Sequence, residues 1–92
     1  MKKIYAGYIV KIQAATIRLF EAEDDWYPDY RAVRANERAI QHWLDKITDD
    51  EDEQREILRV IESNNFNRED KTFKPICDGL RKLGYEIVEE KR

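Results

Sequence analysis

The strongest folding signal in the sequence is a stripe of apolar residues at helical spacing near the middle of the chain. The stripe consists of Ala39, Ile40, Trp43, Leu44 and Ile47. Apolar residues three and four positions apart share one face of an α-helix, and Asn36 is a residue type that commonly caps a helix N-terminus. The spacing therefore predicts a helix from about Glu37 to Lys46 that covers a core with its apolar face.

Length and composition limit how many such elements can share a core. The chain has 92 residues, of which 41% are hydrophobic and 40% are charged. This length suits one modest core, and the apolar content is high enough for the chain to fold. We therefore expect a single α+β domain over residues 1–92 with a highly charged surface.

The N-terminal apolar residues admit two interpretations, a β-hairpin and one long helix. Apolar side chains occupy the even positions from Ile4 to Ile12, which is strand periodicity, and Thr16–Ala22 is rich in β-branched and aromatic residues. The same segment also fits a helical stripe from about Tyr8 to Glu23. The hairpin is the preferred prediction, because β-branched side chains lose rotamer freedom in a helix and pack well in a sheet. Its turn nevertheless contains no Gly, Asn or Pro.

Turn and capping signals predict the next two elements. Residues 30–34 are expected to form a third short strand after a polar loop. Thr48 and Glu51 have the spacing of a capping box, so a second helix should begin near Asp49. The polar residues at 63–65 should end that helix.

The C-terminal part of the chain is predicted to contain a helix and a strand. The helix should run from about Phe73 to Leu83 with Gly84 as its cap, and Tyr85–Val88 should form a last short strand. Together the predicted elements give an α+β fold. A small antiparallel sheet, made of the hairpin, the third strand and the C-terminal strand, would pack against about three helices.

No motif in the sequence indicates catalysis, a metal or a cofactor. His42 is the only histidine and Cys77 the only cysteine, which is too few for the usual structural zinc site, and neither lies in a nucleophile motif. Gly7, Gly79 and Gly84 are isolated, so there is no glycine-rich phosphate loop. We expect a non-enzymatic protein with Cys77 in its core and His42 on a helix surface.

The single cysteine and the N-terminus both favour a cytoplasmic protein. One cysteine cannot form an internal disulfide, and small secreted domains usually need several. The apolar stretch between Lys3 and Lys11 is too short for a signal peptide or a spanning helix. A membrane partner is therefore not expected.

Two acidic clusters form the predicted binding site. The chain has 17 Lys and Arg against 20 Asp and Glu, a net charge of -3. The first cluster, with its neighbouring aromatic residues, comprises Asp24, Asp25, Trp26, Tyr27, Asp29 and Tyr30. The second comprises Asp49, Asp50, Glu51, Asp52 and Glu53. Neither has the ligand pattern of an EF-hand calcium loop.

Carboxylates beside aromatic anchors are typical of a surface that binds a basic protein groove. The sequence therefore predicts an interaction protein, such as an inhibitor or nucleic-acid mimic, whose partner is a protein with a basic nucleic-acid groove. Small inhibitors carried by phages and mobile elements are similar in size and acidity. The identity of the partner does not follow from the sequence.

The alternative function is direct binding of DNA or RNA. Residues 55–88 can be interpreted as helix, turn, helix and strand, and Leu83–Ile87 is similar to the turn from recognition helix to wing strand in winged-helix proteins. The resemblance implies that four basic residues contact phosphates: Lys71, Lys74, Arg81 and Lys82. The net negative charge makes this the second hypothesis.

Overall fold

The computed structural model describes residues 2–24, 27, 29–65 and 73–89. In these residues four helices lie between two short strands in chain order: β1 (Lys2–Tyr5), α1 (Ala6–Glu23), α2 (Tyr30–Ile47), α3 (Glu51–Asn65), α4 (Phe73–Lys82) and β2 (Tyr85–Val88). The strands pair in parallel, with Lys2 opposite Tyr85 and Tyr5 opposite Val88. The described chain is therefore mostly helical, with one small parallel sheet.

The predicted antiparallel sheet with its N-terminal hairpin is wrong, because residues 6–23 form one helix. Ile9, Ile12 and Thr16 are completely buried on its inner face. Burying an Ile side chain stabilises the fold by about 1.5 to 3 kcal/mol, whereas the helix propensity of a β-branched residue costs less than about 0.7 kcal/mol. Burial therefore outweighs propensity. The Thr16 hydroxyl also donates a hydrogen bond to the Ile12 carbonyl at 2.8 Å, so it is satisfied inside the helix.

The predicted third strand at residues 30–34 is also helical, because α2 begins at Tyr30. The Asp29 carboxylate caps α2 by accepting hydrogen bonds from the backbone amides of Arg31 and Ala32, at 3.1 and 3.3 Å. Asn36, the predicted cap, lies within the helix and donates a hydrogen bond from Nδ2 to the Ala32 carbonyl at 2.8 Å. The earlier capping residue therefore sets the start of the helix.

The C-terminal elements agree closely with the sequence predictions. Helix α4 ends at Lys82, the turn contains Gly84 with a φ of 98°, and β2 covers the predicted strand residues. A positive φ of this size favours glycine, which lacks the Cβ that clashes in this conformation. The turn directs β2 back alongside β1, and the four described helices form the connection that a parallel pair requires.

The core forms where the helices meet the inner face of the sheet. Its buried members are Ile4, Ile9, Ile12, Ala15, Ile40, Leu44, Ile57, Ile61, Ile76, Cys77, Leu80 and Tyr85. In the predicted α2 stripe, Ile40 and Leu44 are buried, and Trp43 and Ile47 are partly buried against the same core. The prediction that Cys77 is a core residue is confirmed.

Candidate interaction surfaces

The two predicted acidic clusters lie at opposite ends of α2. The first lies in the connection between α1 and α2, and the second covers the connection between α2 and α3 and the start of α3. Helix α2 has 18 residues, which corresponds to a length of about 27 Å. The clusters are therefore two separate patches and do not form one continuous surface.

The first cluster exposes two tyrosines. Tyr27 and Tyr30 are 81% and 70% exposed. Asp29 is the cap of α2, while Asp24 is exposed and follows the last turn of α1. The predicted site residues Asp25 and Trp26 lie outside the described residues. In the described chain this patch thus has more aromatic surface than free carboxylate.

The second cluster contains the cap of α3. The Asp50 carboxylate accepts hydrogen bonds from the backbone amides of Asp52 and Glu53, at 2.9 and 3.4 Å. The predicted capping box of Thr48 and Glu51 is therefore wrong, and α3 begins at Glu51. Thr48 Oγ1 instead accepts a hydrogen bond from the Asp50 amide at 3.2 Å. Asp50 therefore has a structural role at the helix N-terminus, where negative charge is favourable.

Glu53 connects three elements of the fold. The Lys2 ammonium donates hydrogen bonds to its carboxylate, at 2.7 Å from Oε2, and the Tyr85 hydroxyl donates to the same oxygen at 3.2 Å. The hydrogen bond with Lys2 lowers the pKa of Glu53 and raises the pKa of Lys2. Burial, reinforced by Glu53, raises the pKa of Tyr85 to about 12. Glu53 therefore holds β1, α3 and β2 together.

Apart from Asp50, three carboxylates of the second cluster are exposed at the surface. Asp49 and Glu51 are exposed and make no side-chain hydrogen bond or ion pair with any described residue. Asp52 is 4.0 Å from Arg55, and both side chains are largely exposed. An exposed pair of this kind contributes between about 0 and 1 kcal/mol, so it does not hold Asp52 in place.

A row of aromatic side chains, which the sequence analysis missed, joins β1 to α2. Ring centroids are 5.3 Å apart for Tyr5 and Tyr8, 5.4 Å for Tyr8 and Trp43, and 5.0 Å for Trp43 and His42. The Lys46 ammonium lies 5.4 Å from the Trp43 ring, within cation–π range. The contact between Tyr8 and Trp43 forms only because α1 and α2 pack side by side, so the sequence gives no direct signal that the two local ring pairs join into one row.

The aromatic row and the second cluster both lie toward the C-terminal end of α2, because Trp43 and Lys46 are in its last turns and the cluster follows Ile47. Lys2 contacts Glu53 of the cluster, but Tyr5 lies three residues later in β1, so the side chains of Lys2 and Tyr5 point to opposite faces of the strand. Tyr5 is 41% exposed. We call the combination of the exposed carboxylates Asp49, Glu51 and Asp52 the α3-end surface.

The residues of the winged-helix-like hypothesis lie on α4 and its flanks. Lys74, Arg81 and Lys82 are exposed, and Arg81 pairs with Asp78 at 3.0 Å. Lys71 lies outside the described residues. Strand β2 pairs in parallel with β1, so residues 73–89 contain no second wing strand.

A surface groove of about 470 Å³ lies beside α2. Its lining is apolar at Leu19, Ile40, Leu44 and Leu58, and polar at Arg34, Glu37, Arg38, Gln41 and Glu62. Burial, together with nearby Glu23, raises the pKa of Glu62. The described residues contain no group of three or more His, Cys, Asp or Glu arranged to hold a metal ion. The groove thus combines an apolar lining with charges of both signs.

No family model, curated protein or solved structure matches the chain. Within the part of the chain that the structure describes, no helix is long and apolar enough to cross a membrane.

Proposed function

We propose that the protein is a small non-enzymatic interaction protein whose α3-end surface binds a basic groove on a macromolecular partner. The observation that carries this proposal is the set of three exposed carboxylates at the start of α3, Asp49, Glu51 and Asp52, none of which caps the helix or forms a hydrogen bond with Lys2. Carboxylates steer a basic partner during encounter. A partner that normally holds nucleic acid fits this chemistry, which would make the protein an inhibitor or nucleic-acid mimic.

The structure separates the carboxylates that can be tested from those that support the fold. Asp50 is excluded from the test because it caps α3, and Glu53 is excluded because it binds Lys2. The informative variant is the charge reversal of the other three residues: Asp49→Lys, Glu51→Lys and Asp52→Lys. The comparison variant reverses charge at the other end of α2, with Asp24→Lys and Asp25→Lys.

The experiment begins with a pull-down from the native host and identification of bound macromolecules by mass spectrometry. Association rates of the purified partner are then measured for the parent and both variants across a salt titration. The α3-end variant should slow association most strongly at low salt, because steering charges are screened within about 10 Å at 0.1 M salt. Circular dichroism checks that the fold is retained. If only the Asp24 and Asp25 variant slows association, the proposed surface is incorrect.

A second candidate function, direct nucleic-acid binding, is favoured by the exposed basic side chains of Lys74 and Lys82 on α4. Gel-shift assays with DNA distinguish the two candidates. If DNA is the ligand, Lys74→Glu with Lys82→Glu should weaken binding, and the α3-end variant should strengthen it by removing repulsion from phosphates. If the ligand is instead a protein with a basic groove, the α3-end variant should weaken binding to that protein.

A further inference from the structure

Helix α1 is apolar on two opposite faces, and the fold buries only one of them. The inner face consists of Ile9, Ile12, Ala15, Thr16 and Leu19. The outer face contains Val10 and Ile17, which are 49% and 40% exposed, with Ala14 between them. A surface helix normally carries polar residues opposite its core-facing stripe. The outer face of α1 therefore departs from that pattern and has no partner among the described residues.

The outer face has the spacing of a helix–helix seam. Gly7, Val10, Ala14 and Ile17 follow one another at intervals of three, four and three residues, and the charged Glu21 ends this seam four residues later. This is the spacing of the a and d positions in a coiled-coil heptad. Small side chains at Gly7 and Ala14 leave room for a second helix, and Val10 and Ile17 can insert between its side chains.

Two basic residues border this seam on one flank. Lys11 and Arg18 are seven residues apart, both are exposed, and neither forms an ion pair with a described residue. Charges at the positions that flank a seam select the partner helix by complementarity. Acidic flanking residues on the partner would match this surface.

A second copy of the chain and an anionic membrane match it less well. An antiparallel pair of α1 helices crossing at Ala14 would place Lys11 beside Arg18 of the second copy, and like charges in these positions are unfavourable. A parallel pair would leave both basic residues without acidic partners. Helices that lie on membranes usually insert bulky residues such as Trp, Phe or Leu, whereas this seam contains Gly and Ala.

We propose that the outer face of α1 is a docking surface for an amphipathic helix of another protein, one with an aliphatic seam and acidic flanking residues. The net charge of the chain is -3, so long-range electrostatics oppose an acidic ligand and the local pair Lys11 and Arg18 must supply the attraction. This surface is separate from the α3-end surface and does not depend on the proposed function.

The test uses two synthetic helical peptides that share one aliphatic seam. One peptide has Glu at every flanking position, and its twin has Lys there. Fluorescence anisotropy with the full-length protein should show about tenfold tighter binding of the Glu peptide, which is the effect of a few flanking charge pairs. Equal binding, preference for the Lys peptide or no binding would each overturn the proposal.

Variants identify the face that binds. Lys11→Glu with Arg18→Glu should reverse the peptide preference, whereas Arg59→Glu, a charge reversal at an exposed arginine on α3, should leave it unchanged. Val10→Asp and Ile17→Asp should each weaken binding of the Glu peptide while circular dichroism shows a retained fold, since both side chains are exposed. The same loss with Arg59→Glu would contradict the assignment.

Two further measurements distinguish other occupants of the face. Sedimentation equilibrium that shows self-association abolished by Ile17→Asp would identify a second copy and overturn the proposal. Co-sedimentation with vesicles of phosphatidylserine and phosphatidylcholine that is lost in the same variant would identify a membrane and also overturn it. A monomer that ignores both vesicles and its own copies, and binds the Glu peptide, supports the proposal.

Discussion

Gly79 lies where α4 packs closely against Val60 of α3, and its replacement provides a sensitive test of that packing. A Cβ atom at this position would lie 2.7 Å from Val60 Cγ1. Ordinary contact between carbon atoms is about 3.5 to 4.0 Å, so the added methyl would overlap by about 1 Å. Val60 is β-branched and has little rotamer freedom in a helix, so the overlap must displace the helices themselves.

Two effects oppose each other in Gly79→Ala. Alanine is favoured over glycine in a helix by about 1 kcal/mol, and Gly79 does not have a positive φ. Overpacking costs about 1 to 3 kcal/mol. The single substitution should therefore destabilise the protein by between about 0 and 2 kcal/mol. In a Val60→Ala background, where the nearest remaining Val60 atom, Cβ, lies 3.9 Å from the added methyl, the same change should stabilise it by about 1 kcal/mol.

Denaturant unfolding of the parent, both single variants and the double variant measures the coupling between these positions. The expected coupling free energy is about 1 to 3 kcal/mol, which is above the roughly 0.5 kcal/mol limit for additive behaviour. Additive free energies of unfolding for Gly79→Ala and Val60→Ala would refute the close approach of α3 and α4 at this point.

Three other substitutions test local features of the fold. Gly84→Ala should lower the free energy of unfolding by about 1 to 2 kcal/mol, because its φ of 98° is unfavourable for a residue with a Cβ; chemical denaturation measures this. Asp50→Ala should lower the free energy of unfolding by about 1 kcal/mol through loss of the α3 cap, and Asp50→Asn should lower it by less. A larger loss of stability from Thr48→Ala than from Asp50→Ala would contradict the capping assignment. Since the hydrogen bond from Lys2 lowers the pKa of Glu53, the stability from this group is complete above its ordinary pKa of 4.5 and is lost as the pH falls through the lowered value. Glu53→Gln should therefore flatten the acid limb of the stability profile, and an unchanged limb would show that this carboxylate is not held by Lys2.

The predictions that succeeded depend on residues with strong local preferences. Gly84 marks the end of a helix and the start of a strand because few other residues adopt its backbone conformation. The α2 stripe at Ile40 and Leu44 has one apolar face, so its period is unambiguous. The details of capping were less predictable, because several residues that can cap a helix occur close together. Asp29 precedes α2, whereas Asn36 lies within it. Only the packing of the whole helix decides which of the two acts as the cap.

The candidate surfaces could be predicted only in part, because a sequence shows which charges are present and not which of them the fold uses. In the second acidic cluster, Asp50 caps α3 and Glu53 binds Lys2, whereas Asp49 and Glu51 form no side-chain hydrogen bond or ion pair with a described residue. These roles depend on where α3 begins and on how the N-terminal strand reaches it. A contact between residues 51 positions apart has no local signal in the sequence.

The incorrect hairpin prediction has a physical cause that bears on the outer face of α1. Strand-like alternation appeared because apolar residues of α1 belong to two faces: Ile12 points to the core, while Val10 and Ile17 are exposed. A helix with one apolar face would have shown a clear helical period and no alternation. Surface substitutions usually change stability by less than about 0.5 kcal/mol, so the fold itself does not require apolar side chains at Val10 and Ile17. Docking of another helix on this face, as proposed above, would give both side chains a contact.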